Sequence, residues 1–146
     1  MNLSQSPQKL DSFIQSLETE LTLKQIENQV IMTTSLVSTI ILMYRKGINT
    51  DLLLKRIQWL YAELKERGAD TCMGMMPTKK ILLKSLTYLT DFTTVKRDVI
   101  EPKVEGSNGQ KNLLMLAYYR NNLSHIFVQE AMIVLTILSH KTANLD

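Results

Sequence analysis

The sequence predicts an all-α fold: a single domain over residues 1–146, with about five helices bundled around a long, apolar C-terminal helix and a short extended or β excursion near residues 94–109. Three observations carry this reading. Apolar residues recur at helical spacing in several stretches bounded by capping and breaking residues. The run Val30 to Tyr44 contains no charge, and Leu113 to Leu138 is apolar on nearly every face.

Taken in order, a polar lead ends at Pro7. Leu10, Phe13, Ile14, Leu17 and Leu21 then fall on one side of a helix, with Asp11 and Glu18 turned away. The uncharged run that follows is short for a bilayer crossing, which needs about 20 predominantly apolar residues. Asn28 and Glu27 bound it on one side and Arg45 and Lys46 on the other. A buried soluble helix and a shallow or tilted membrane segment both fit it, and its hydroxyl side chains can bond to backbone carbonyls in either setting.

Gly47 is expected to end that helix in the C′ role, just past a basic pair that complements the negative end of the helix dipole. Asn49 or Thr50 caps the next one, with Asp51 in its first turn. Leu53, Ile57, Leu60 and Leu64 form its buried stripe; Lys55, Arg56, Glu63, Lys65 and Glu66 point outward, and Gly68 closes it. Trp59 and Tyr61 border the stripe, where an amphipathic ring suits a half-wet seam.

"ADTCMGMMP" is a connection broken by Gly74 and Pro77. Its sulfur residues, Cys72, Met73, Met75 and Met76, either cover an edge of the core or offer an adaptable contact surface. Thr78 starts a helix carrying Ile81, Leu82, Leu86, Leu89 and Phe92, with Lys79, Lys80 and Lys84 at its positive end. From Thr93 the pattern turns β-branched, predicting a short strand or extended arm around Thr94 to Ile100, and "KVEGSNGQK" is a turn-rich loop.

The last helix starts near Gln110. Leu116, Leu123, Phe127, Val134 and Leu138 lie along one side of it, Ile126, Ile133 and Ile137 along an adjoining one. A helix apolar all round needs cover, so this one is expected at the centre of the bundle. Midway, Tyr118, Asn122, His125 and Gln129 recur at i, i+4, i+7 and i+11 and stack on one face of an unbroken helix. They read as a buried polar seam that sets the helix's register, partnered by hydroxyls from the Thr33 to Thr39 region. The functional alternative is that the seam, with Arg120 beside it, lines part of a lipid or substrate pocket. A kink is expected at Asn121 and Asn122, which have poor helix propensity.

Composition sets the outer bounds. The 146 residues suit one domain, and 45% hydrophobic with 21% charged residues is a globular mixture. A net charge of +3 is too small to announce nucleic acid. The single cysteine excludes an intrachain disulfide and a cysteine-framework zinc site. Asp11, Glu18 and Glu20, with no basic flank before an apolar run, exclude a secretory signal or mitochondrial presequence in this stretch. Nucleotide-loop, dinucleotide, serine-hydrolase and zinc-protease motifs do not occur, and neither cofactor nor metal is expected.

Two blocks carry a family resemblance. "YYRNNLSHIFVQEAMI" resembles the distal C-terminal helix of animal-type mitochondrial glycerol-3-phosphate acyltransferases, and "IMTTSLVSTIILMYRKGINTDLLLKRIQWLYAELKERGAD" resembles the same C-terminal region in the same order. The resemblance implies the non-catalytic helical tail of a membrane-associated enzyme that moves an acyl group from acyl-coenzyme A to glycerol 3-phosphate, opening glycerolipid and phospholipid synthesis. It implies a catalytic domain in cis and the mitochondrial outer membrane. The dihydroxyacetone phosphate branch of the superfamily shares the tail, and a free-standing helical interaction protein derived from it is the rival from another class.

That family's chemistry uses an H-x4-D pair, in which histidine takes the hydroxyl proton and the carboxylate fixes its tautomer. Here Glu130 stands five positions after His125, and Asp146 six after His140. Five residues on a helix rotate about 500°, so His125 and Glu130 point apart and no catalytic residue is expected in this chain. Lys79, Lys80, Lys84, Lys96 and Arg97 form either a patch for an anionic membrane surface or an ordinary solvated face. Glu130, alone on an apolar helix, is expected to reach a cation or the surface.

Overall fold

The computed structural model describes residues 7–143, with side-chain environments for 9–140. Its contacts divide the chain into two units, Met1–Val30 and Ile31–Asp146. The first holds one helix, α1 (Pro7–Glu27). Proline at the first helical position costs no hydrogen bond, because that N–H has no partner within the helix. The apolar stripe Leu10, Phe13, Ile14, Leu17 and Leu21 is where the spacing placed it, and all five side chains are exposed.

The second unit contains the core, and its centre is α2 (Thr33–Met43). Leu36, Val37, Ile40 and Ile41 are almost wholly shielded, as are Ser35 and Ser38. The uncharged run is therefore a buried protein helix, the first of the two environments the sequence allowed. It is covered by α3 (Thr50–Glu66), α4 (Thr78–Leu89) and α5 (Gly109–Ser124). Leu53, Ile57, Leu60 and Leu64 of α3 form the predicted stripe, α4 contributes Ile81, Leu82 and Leu89, and α5 contributes Leu116 and Leu123. Each such side chain is worth about 1.5–3 kcal/mol when fully buried.

Short β elements brace one side. β1 (Ile48–Asn49), β2 (Thr93–Lys96) and β3 (Val99–Pro102) form an antiparallel sheet in the order β1-β3-β2. β2 and β3 stand where a β excursion was expected, but as two strands around a turn rather than one strand or arm over Thr94 to Ile100, and β1 was not foreseen. Its turn puts Arg97 at φ 57°, an uncommon conformation for a side chain with a Cβ. Asn49, rather than Thr50, caps α3, its side chain accepting from the Asp51 N–H at 2.9 Å.

Gly47 has φ 101°, so its conformational role holds, but it follows a turn after α2 ends at Met43 instead of closing the helix directly. A Cβ there would lie 2.6 Å from Val99 Cγ1, so the β1–β3 pairing also needs a glycine. At the start of α5, a Cβ on Gly109 would lie 1.9 Å from the Val104 carbonyl oxygen.

The last helical stretch runs from Gly109 to His140 and is long and apolar, as predicted. Its place in the fold differs from expectation. α5 packs on α2, a 3₁₀ turn follows at His125–Phe127, and α6 (Val128–Ala143) leaves the core. Val134 and Leu138 are each 52% exposed, Ile133 60% and Leu135 66%. The bundle is therefore organised around α2, and only the first half of the terminal stretch is sheltered. Every buried apolar side chain among the described residues falls between Ile31 and Leu123. The interruption comes at the 3₁₀ turn, just after the two asparagines where a kink was expected.

Candidate functional site

The root of α6 is held by Ile126 and Phe127, which pack against the core, and by a charged tether. Arg67, just past α3, pairs with Glu63 one turn back and reaches Glu130 at 3.4 Å, while its guanidinium carbon lies 4.8 Å above the Phe127 ring. Glu130 was expected to reach a cation or the surface, and it does both. The hydrogen bond that Arg67 donates to Glu63, followed by the attraction of both carboxylates, raises the Arg67 pKa above its ordinary value, so the tether stays charged at any physiological pH. Beyond it, Val128, Met132, Ile133, Val134, Leu135, Ile137 and Leu138 stand exposed on every side of α6. This is the largest feature of the unit that its own core does not explain.

The polar seam does not survive the 3₁₀ turn. Tyr118 is 65% exposed, Gln129 is exposed, and Asn122 and His125 are half-buried, so they form no buried network. A 3₁₀ turn advances about 120° per residue where an α-helix advances about 100°. Three such residues rotate α6 by roughly 60° against α5, which carries Gln129 off the face shared by Tyr118 and Asn122. Of the hydroxyls expected as partners, Ser35 Oγ and Ser38 Oγ are buried without one and Thr39 bonds its own helix at the Ser35 carbonyl, 2.7 Å away, while Thr33 and Thr34 stand around the same space as Tyr118 and Asn122.

Half of the seam does line a cleft. Tyr118 and Asn122 of α5 face Thr33 and Thr34 of α2, Tyr88 and Lys84 of α4 and Cys72 of the connection around a space of about 310 Å³. Tyr119 closes it, its ring 5.9 Å from Tyr118 in an edge-on arrangement. His125 and Gln129 take no part. A second cleft of about 300 Å³, lined mainly by apolar side chains of α2, α3 and the end of α5, was not foreseen. Such clefts draw residues from three or four elements, which no local spacing reveals.

The five basic residues are not one lining. Lys84 faces the tyrosine cleft, while Lys96 lies against a different one and pairs with Glu101 at 2.6 Å. That pairing raises the Lys96 pKa. Lys79 and Lys80 are exposed at the start of α4, and Arg97 sits in the hairpin turn. Of the sulfur residues, Met73 is buried, Met76 half-buried and Cys72 and Met75 exposed, so the cluster covers a core edge with one residue and faces solvent with two. No three His, Cys, Asp or Glu side chains among the described residues could share a metal ion. His140 is exposed, and Asp146 lies outside the described residues.

The human dihydroxyacetone phosphate acyltransferase is 23% identical over 145 residues, covering 90% of this chain and 21% of the relative. The bovine dihydroxyacetone phosphate acyltransferase is 22% identical over 140 residues, covering 89% of this chain and again 21% of the relative. The chain therefore spans about a fifth of the length of these curated relatives. Residues 2–146 match the family described as the C-terminal region of glycerol-3-phosphate acyltransferase, and to that family this chain belongs.

Proposed function

We propose that the chain is the non-catalytic helical C-terminal region of a membrane-associated acyltransferase that transfers an acyl group from acyl-coenzyme A to a three-carbon phosphate, and that α6 is the face on which it joins the catalytic domain in cis. The observation that carries this is the exposure of α6 on all sides beside a core that is complete without it. A helix of that composition needs protein or lipid around it. The relatives supply a rest of the enzyme about four times as long as this region.

Lipid alone is the weaker cover. The 32-residue stretch qualifies as a span by length and composition, but α5 is built into the core through Leu116 and Leu123. The free part, α6, has 16 residues, about 24 Å at 1.5 Å per residue, against a hydrocarbon core of about 30 Å. The acceptor is either glycerol 3-phosphate, which the family description favours, or dihydroxyacetone phosphate, which the relatives' names favour. The mitochondrial outer membrane is the location favoured by the likeness to animal-type enzymes.

The chain alone, given acyl-coenzyme A and either acceptor, is expected to give no turnover above background. Co-expressed with the segment of its parent enzyme that carries an H-x4-D loop, it is expected to co-purify, and Ile133→Asp with Ile137→Asp to abolish that association. Turnover by the isolated chain, or co-purification indifferent to the double substitution, would overturn the reading.

A further inference from the structure

The apolar cleft between α2, α3 and the end of α5 carries a second, independent inference. Its walls are Ile40, Met43, Trp59, Leu60, Leu123 and Phe127, and it encloses about 300 Å³, at the small end of ligand sites. One end is different. Tyr44 and Arg56 line the same space, and the Arg56 Nε donates to the Tyr44 hydroxyl at 3.1 Å. That bond orients the guanidinium and uses one of its five N–H donors. Arg56 enters no ion pair among the described residues, and the lining contains no carboxylate.

We propose that this cleft binds a single-chain amphiphile with an anionic head, the alkyl chain lying along Leu60, Leu123 and Phe127 and the carboxylate or phosphate accepting from Arg56. The match is one of charge and polarity. A guanidinium held in place beside a greasy slot offers a fork to a planar or tetrahedral anion, and nothing in the slot competes for it. A peptide fits less well, because its amide groups need partners. The other polar side chains on the lining are few: Thr39 already donates its hydroxyl to the Ser35 carbonyl, and Trp59 offers a single indole N–H. The lining ends at Phe127, before α6 begins, so the site is complete without α6 having docked.

The chain's single tryptophan, Trp59, lies on the lining and is 50% exposed, so its emission reports occupancy directly. Decanoate, decyl phosphate and uncharged 1-decanol would be titrated below their aggregation concentrations. Both anions are expected to give a saturable blue shift at one ligand per chain, with decanol at least about tenfold weaker, the scale of a charge-assisted bond. A preference between the two heads tells a fatty acid from a monoacyl phosphate lipid; either supports the site. Arg56→Gln is expected to bring the anions down to decanol's affinity, and Met43→Phe, at an exposed position, to weaken all three by filling the slot. Ile133→Ser with Ile137→Ser is expected to change nothing. A silent Trp59, equal binding of anions and decanol that ignores Arg56→Gln, or loss of the shift in the α6 double variant would overturn the proposal.

Discussion

α2 and α6 are the two apolar helices of the unit, and they have opposite fates. Neither has a charged face: α2 carries only hydroxyls among its polar side chains, and α6 has Glu130 and Lys141 near its ends. Yet α2 is almost entirely shielded and α6 is exposed throughout its described side chains. The difference lies in their neighbours. α3, α4 and α5 each bring one apolar stripe, and all three stripes are turned to α2. None is left for α6. Composition measures how much cover a helix needs; the supply of matching faces decides where the cover comes from.

The comparison can be broken most directly by removing the same side chain from each helix. Ile41→Ala, in the fully shielded centre of α2, is expected to cost about 2–5 kcal/mol in urea unfolding. Ile137→Ala, 61% exposed on α6, is expected to stay within about 0.5 kcal/mol. Similar costs at the two positions would mean that α6 is buried after all.

A smaller effect sharpens where the sheltered part of the terminal stretch begins. Gly109→Ala forces a methyl group against the Val104 carbonyl at the seat of α5. It is expected to cost about 1–3 kcal/mol and to lower the melting temperature, since α5 belongs to the core.

Smaller still, and of opposite sign, are the two silent hydroxyls of α2. Ser35→Ala and Ser38→Ala each remove a buried oxygen without a partner and replace serine by a better helix former. Each is expected to be neutral or stabilising by up to about 1 kcal/mol in the same unfolding assay. A loss at either position would show that its hydroxyl is satisfied in solution.

The smallest effect is alkaline. The bond to Glu101 holds the Lys96 pKa above 10.5 in the fold. A raised pKa means that its contribution is complete below 10.5 and fades as pH climbs through the folded value. Lys96→Gln is expected to flatten that high-pH decline in melting temperature while leaving the α2 core, which has no titratable side chain, unaffected.

Much of this was legible from spacing. The α3 stripe, its asparagine cap, the uncharged core helix and the extended character of the stretch after Thr93 all follow from short-range rules that act within one element. What escaped is what joins elements. β1 is two residues long and exists because Ile48 pairs with Ile100. The tether between Arg67 and Glu130 spans 63 positions. The polar seam was read on an unbroken helix, and a single 3₁₀ turn after Ser124 was enough to scatter it. The cleft containing Arg56 combines three helices, and Arg56 taken alone reads as one more outward charge.

The central claim, that α6 waits for cover from the rest of its enzyme, is tested most directly by thiol labelling at position 133. On a Cys72→Ser background, which removes the only native and exposed thiol, Ile133→Cys would be reacted with a maleimide in the isolated region and in the full parent enzyme. The account predicts rapid labelling in isolation and protection by at least about tenfold in the assembled enzyme, the rate ratio that about 1.4 kcal/mol of cover gives. Equal rates in the two would contradict it.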